Sequence, residues 1–428
     1  MSDIFDAFDS PWGLTWALVK RHKQKKAIRN IQKSNEDARG IVYYQPSNIE
    51  AFFDERDHIG NIVLSGGDEF IRLRAMAKCV ECAYIQGYVP VVLHTNNFNL
   101  ENYFVSCFGT TNITYINGQF PFYEPFIGLS DNEICKIIMK STTENFEIKG
   151  NGKNYIDGVT AFIRSKGVVP YLWMYITCPH MELSDKINDS MTKGIITENM
   201  ARRMLSQLVQ GEIERGNIEN FFSELRSEAE FIIAKKGNLS NATSIRNVAK
   251  SRGAIVIDVR ASNNELLLNI IISEIEMLKS RGEKVFLCID GIQILDNTLL
   301  AEYLKSSGNQ SVVCMSGCDV YSDFLGNDKL FYSIVGKSSK IVISKHVSAY
   351  SCQKFSEIVG SYDKQEISDT FTGNMNMVGD FSYGTTNSKN ISIKREEIIK
   401  TDEIHRLNNN EVFILDNNND EIAWTQVV

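Results

Sequence analysis

Eight residues, Gly66-Gly67-Asp68-Glu69-Phe70-Ile71-Arg72-Leu73, follow the apolar run Ile62-Val63-Leu64-Ser65 and open a stretch of helical period. A strand, a glycine turn and a helix form the setting in which backbone N–H groups grip phosphate. In the working form GxxxxGK[ST], the lysine reaches the outer phosphates and the hydroxyl holds magnesium. Counting from Gly66, Ile71 stands where glycine is required, Arg72 replaces the lysine and Leu73 replaces the hydroxyl. Asp68 and Glu69 would add negative charge, and a carboxylate about 4 Å from a phosphate costs on the order of 1–4 kcal/mol per charge pair. The position of a nucleotide loop is present without its chemistry. The ordinary alternative is a βα turn capped by Asp68.

The second constellation is Val285-Phe286-Leu287-Cys288-Ile289-Asp290-Gly291. An apolar strand ending in Asp is the arrangement in which a carboxylate orients magnesium and its water. Hydrolytic proteins of this type follow it with Glu as the base, and here Gly291 follows. After a third strand, Ser316-Gly317-Cys318-Asp319 lacks the Gln or Asn that would sense a γ-phosphate. If nucleotide binds, Gly66, Gly67 and Arg72 are its contacts, Asp290 its magnesium carboxylate, and ATP with magnesium its ligand. Otherwise no cofactor is expected.

Other reactive side chains read as structural. Cys79 and Cys82 form a CxxC pair on a buried helical pattern with no second pair or histidine to complete a zinc set, and the six histidines are isolated, so no metal site is expected. Arg202-Arg203 and Lys235-Lys236 read as solvated faces. Arg246, just before a strand, could stand at a subunit edge, but without a competent partner site the bland reading is favoured.

These residues need a scaffold, and the chain supplies strands alternating with helices. Val89 to Leu93, Ile113 to Asn117, Ala254 to Val259, Val285 to Asp290, Ser311 to Ser316 and Lys340 to Ser344 are apolar on both faces, as in a parallel sheet covered on both sides. Between about 125 and 250 the strand signal vanishes. Asp131 to Lys140, Tyr155 to Ser165, Thr197 to Gln210 and Ile218 to Lys235 have helical period. The resulting division is an N-terminal arm (1–40), a first α/β half (41–124), an inserted all-α domain (125–250), a second α/β half (251–370), and a loop with a C-terminal β-hairpin (371–428). Phe371 to Asn390 reads as a flexible loop or hairpin.

With 428 residues, 43% hydrophobic and 23% charged, the composition is that of a globular protein, and its net charge of −8 argues against a broad nucleic-acid coat. No run of about 20 apolar residues exists to span a membrane. The start, Met1 to Asp6, lacks a secretory signal, so a cytoplasmic location is expected. The arm is the basic exception. Trp12, Leu14, Trp16, Leu18 and Val19 precede Lys20, Arg21, Lys23, Lys25, Lys26 and Arg29. Such a helix can lie on an anionic membrane, on nucleic acid, on a partner or on its own domain.

In this order and spacing the segments resemble the conjugative coupling-protein branch of the FtsK/HerA superfamily, the hexameric DNA-pumping ATPases of type IV secretion. The resemblance covers residues 55–370. It includes the strand-glycine-helix unit, Leu93-His94-Thr95-Asn96, Pro121 to Phe126 leading into a helical insertion, the strand ending at Asp290, Ser316 to Leu325 and His346 to Gly360. It implies a RecA-like fold and assigns Arg72, Leu73, Asp290 and Gly291 to nucleotide lysine, magnesium hydroxyl, magnesium carboxylate and base. Only Asp290 keeps its chemical type. The expectation is therefore a pseudo-ATPase subunit that contacts protein partners, such as an ATPase or a secretion-type assembly, with DNA or a membrane surface as further partners. The alternatives are a nucleotide-binding ATPase using Arg72 and Asp290, and a nucleic-acid-binding module without motor activity.

Overall fold

Strands that are apolar at every position must be covered on both faces, and alternate side chains then feed two separate cores. The computed structural model describes residues 11–428 except 110–111, 261–263, 294–296, 309, 325 and 374–384. Its strands are β1 Ile41–Tyr43, β2 Ile62–Ser65, β3 Val89–His94, β4 Ile113–Ile116, β5 Ala254–Asp258, β6 Val285–Asp290, β7 Ser311–Gly317, β8 Lys340–Ile343, β9 Ser361–Gly373, β10 Thr385–Glu397, β11 Glu411–Asp416 and β12 Glu421–Gln426. Ten form one sheet in the order β1-β12-β11-β8-β2-β7-β6-β3-β5-β4, while β9 and β10 pair apart from it. Within the large sheet only β11 runs against the rest, antiparallel to both β8 and β12.

Val63, Val91, Leu93, Ile257, Leu287, Ile289 and Met315 face one core. Ile62, Leu64, Val92, Val256, Phe286, Cys288 and Cys314 face the other. The helix Glu69–Ile85 covers the second face, with Ala75, Met76, Cys79, Val80 and Ala83 buried beneath it. The first face is covered by the helix Glu265–Ser280 and by the helices between β4 and β5, whose buried side chains are continuous with that core. Cys79 and Cys82 are reduced and buried, as the helical pattern predicts.

Several expectations need correction. The helix expected over 218–235 ends at Ala229. After a turn, Ile233 bridges Tyr123, whose N–H donates to Ile232 O (3.0 Å) and whose carbonyl accepts from Ala234 N–H (2.9 Å). Of the two readings of 371–390, the hairpin holds at both described ends, which pair antiparallel in β9–β10 with 374–384 outside the described residues, but the boundary at 370/371 falls inside β9. The C-terminal hairpin β11–β12 is not an appendage: it extends the main sheet from β8 and carries β1 on its far edge.

The arm is one helix, Pro11–Arg39, and residues 1–10 lie outside the described part. Its last turns are tied down: Asn35 exchanges two hydrogen bonds with Gln365 (2.8 and 2.9 Å), and Arg39 pairs with Glu403. Lys25, Lys26 and Arg29 are exposed, and the side chains of Lys20, Arg21 and Lys23 are outside the described set. No helix among the described residues is long and apolar enough to cross a membrane.

Candidate functional site

The carboxyl ends of β2, β7, β6 and β3 lie side by side, with β7 between the glycine turn on β2 and Asp290 on β6. This is the edge of an open α/β sheet where ligands bind. A cavity of about 400 Å³ opens there, lined by Glu69, Arg72, Asn97, Asp290, Gly291 and Cys318 among others. Of the residues assigned to nucleotide chemistry, Arg72 and Asp290 line it, and Arg72 ties it to Gly66 and Gly67 through their carbonyls.

The turn itself is short. Only Gly66, Gly67 and Asp68 separate β2 from the helix, which starts at Glu69. In the working motif the residues between the glycines wrap the phosphates, whereas here two of those four positions, Glu69 and Phe70, are already helical. Both glycines adopt left-handed backbone, with φ of +85° and +64°. Gly66 N–H donates to Gly317 O (3.1 Å) and Gly67 N–H to Lys345 O (2.9 Å). The Asp68 carboxylate caps the helix by accepting Phe70 N–H (2.7 Å). The turn is also pressed onto the segment after β8, since a Cβ on Gly67 would lie 2.4 Å from Ser344 Cβ. Arg72 Nη1 folds back to donate to the carbonyls of Gly66 (2.9 Å) and Gly67 (3.1 Å). Ile71 and Leu73 are buried in the core beneath the sheet, which is why apolar residues occupy the motif's glycine and hydroxyl positions.

Asp290 is 8% exposed, and both of its oxygens are occupied. Ser316 Oγ donates to Oδ1 (2.7 Å) and Asn97 Nδ2 to Oδ2 (2.8 Å). Gly291 takes φ +64°, a conformation that a glutamate base would adopt only under strain. Asp319 accepts from Ser351 Oγ (2.6 Å). Burial, with Asp319 and Asp290 nearby, pushes the Asp323 carboxyl up to about 8, so it holds its proton at neutral pH.

Sequence reasoning missed three supports. Asn97 caps the helix Phe98–Phe108 through Leu100 N–H (3.0 Å), and an Asn ahead of an apolar helical stretch is a readable cap signal. Ser65 and His346 join β2 to the segment after β8 (2.8 Å), while Ser65 Oγ also accepts Val320 N–H (3.0 Å). Their pairing has no local signal. Arg246 is not at a subunit edge: it is buried, with Nε 3.5 Å from Glu274. Arg202 pairs with Glu198 and Lys235 with Glu230 on the surface.

No protein-family model and no curated protein matches the chain. Solved structures do. The unbound bacterial conjugative coupling protein TrwBdeltaN70 aligns with TM-score 0.54 at 12% identity, covering 89% of this chain and 90% of that one. The same protein in complex with sulphate gives 0.52 at 12%, with 91% and 93% covered. TrwB in complex with ADP and Mg2+ gives 0.52 at 12%, with 89% and 91% covered. The chain has the RecA-like α/β fold of a conjugative coupling protein.

Proposed function

We propose that the chain is a non-hydrolysing, coupling-protein-like subunit that works in the cytoplasm through its contacts with a conjugation or secretion-type assembly. The observation carrying this reading is the glycine turn, whose Gly66 and Gly67 N–H groups are committed to Gly317 and Lys345 and whose helix terminus is capped by Asp68. A helix N-terminus attracts phosphate because its N–H groups await an acceptor. Here the N–H groups of the two turn glycines and of Phe70 are taken by protein atoms, and Asp68 brings a carboxylate to the same place. TrwB, of the same fold, has been obtained with ADP and Mg2+, so a competent turn in this architecture is compatible with nucleotide.

Purified protein is expected to show no ATP turnover above an Asp290→Ala control and no melting shift with ATP or ADP and magnesium. A ligand at about 100 times its dissociation constant would add ~2.7 kcal/mol, so a clear upward shift, or turnover that Asp290→Ala abolishes, overturns the reading. One observation favours a nucleotide-binding alternative: Arg72 and Asp290 line the same cavity. Under that alternative Mg-ADP binds and Arg72→Ala abolishes the binding.

The supporting surface for partners is the arm. Lys25, Lys26 and Arg29 are exposed, and none forms an ion pair among the described residues. We assign the arm to an anionic partner, DNA or a membrane surface, with 125–250 as an inserted domain in an α/β unit built from 41–124 and 251–370. Salt-dependent DNA or anionic-vesicle binding that disappears when residues 11–33 are deleted supports this. Binding that survives the deletion rejects it.

A further inference from the structure

The chain passes into the helices that follow β4 through residues 121–127 and returns through residues 243–246, and both crossings meet in one buried cluster. Tyr123, Glu124 and Glu274 have no exposed surface, and Arg246 is 2% exposed. Tyr123 bridges Ile233 and Thr243, so the crossings lie in contact. Glu274, from the helix Glu265–Ser280 that covers the sheet, accepts from the Tyr123 hydroxyl (3.0 Å) and from Arg246 N–H (3.1 Å). The Arg246 guanidinium reaches back to the carbonyls of Pro125 (3.2 Å) and Ile127. Glu124 points into the helical segment and accepts Leu172 N–H (2.9 and 3.0 Å) and Phe126 N–H (3.0 Å). Inbound crossing, outbound crossing, sheet helix and helical interior are thus all fastened by three charged groups.

Their charges do not balance. One guanidinium serves two carboxyls, all removed from water. The other titratable neighbours are the Tyr171 and Tyr175 hydroxyls near Glu124, with Arg281 and Glu133 near Arg246. Arg281 and Glu133 pair with each other, so they supply no second cation. Two desolvated carboxylates around one cation repel, and both groups relieve this by staying protonated. Burial accordingly pushes Glu124 up to about 8 and Glu274 up to about 7.

We propose that this cluster is a proton-operated latch: the protons held on Glu124 and Glu274 keep the helical segment seated on the sheet, and their loss loosens both crossings. With both carboxyls ionised, repulsion across the cluster loads the Leu172, Phe126 and Arg246 hydrogen bonds together. The latch is independent of whether the glycine turn binds nucleotide.

Amide hydrogen exchange on the full chain between pH 6 and 9, corrected for intrinsic exchange, tests it. The Phe126, Leu172 and Arg246 amides are expected to lose protection together, by about tenfold relative to the β6 amides, as pH rises from 6.5 to 8.5. Glu124→Gln, which cannot ionise, is expected to shrink that pH dependence to the share that Glu274 carries. Protection that stays constant, or a pH dependence unchanged in Glu124→Gln, overturns the latch. If Glu124→Gln does not fold, Glu274→Gln serves as the second variant. If neither folds, the wild-type profile decides, because a latch requires the three amides to open in one titration and independent fraying does not.

Discussion

A phosphate loop works because its N–H groups have no protein partner until an anion arrives. At Gly66 and Gly67 those groups are already bonded, so consensus side chains alone are not expected to produce a phosphate site. The double substitution Arg72→Lys with Leu73→Thr is expected to gain no Mg-ATP melting shift. Because Leu73 is 3% exposed, it should instead lose about 1–3 kcal/mol, read as a lower urea midpoint, from a hydroxyl placed in the core. Gain of nucleotide binding by that variant would show the turn to be adaptable. Gly67 is the converse test. An added Cβ meets Ser344 Cβ at 2.4 Å on a φ of +64°, so Gly67→Ala is expected to cost about 2–4 kcal/mol. A Gly67→Ala protein with unchanged melting temperature would mean that the turn is not pressed against the segment after β8.

At the scale of elements, the strands that build the site were legible and their supports were not. β5, β6, β7 and β8 announce themselves because their runs are apolar on both faces, broken only at the ends by residues such as Asp258, Asp290, Ser316 and Lys340, which follows from burial on both faces. The β11–β12 hairpin was legible as a hairpin, but its pairing with β8 joins residues about seventy positions apart, and no periodicity encodes such a partner. The helix over 215–229 stops although Phe231, Ile232 and Ile233 continue its apolar pattern, because Tyr123 competes for their backbone. Removing residues 408–428 is therefore expected to expose β8 as a bare edge and to abolish soluble folding. A truncated protein that stays monomeric with native melting would make the hairpin an accessory. Asn97 gives a subtler test, since it both caps its helix and holds Asp290. Asn97→Ala is expected to lose about 1–3 kcal/mol from cap and carboxylate together. Asn97→Asp keeps the cap but sets a second carboxylate against Asp290, so it should be weaker above pH 5 and recover in acid. Equal denaturant midpoints for Asn97→Asp at pH 4 and pH 7 would contradict that contact.

For the whole molecule, the clustering of Arg72 and Asp290 followed from strand order, whereas the carboxyls taken from water did not, because the burial of Glu124 and Glu274 and the half-burial of Glu228 depend on packing between distant helices. Those charges set how stability responds to pH. Burial pushes Glu124 and Glu228 up to about 8 and Glu274 up to about 7. In the unfolded chain each titrates near the ordinary glutamate value, about 4.3. Between that value and the folded one, the native protein binds more protons than the unfolded chain, so stability falls as pH rises, by about 1.4 kcal/mol per unit for each net proton. His180 opposes this: burial lowers it to about 4, so below pH ~6.5 the unfolded chain alone takes up its proton and stability falls with acid. At pH 6 two histidines, His180 and His346, oppose four carboxyls, Asp323 among them, and the carboxyls win. Urea midpoints are expected to peak on the acid side of pH 6 and to decline up to about pH 8, then flatten as the last carboxyl ionises. Glu124→Gln should shallow the decline by about one proton's worth. A midpoint that climbs from pH 6 to 8 would mean these glutamates are ionised in the native fold, and that water or a cation reaches them.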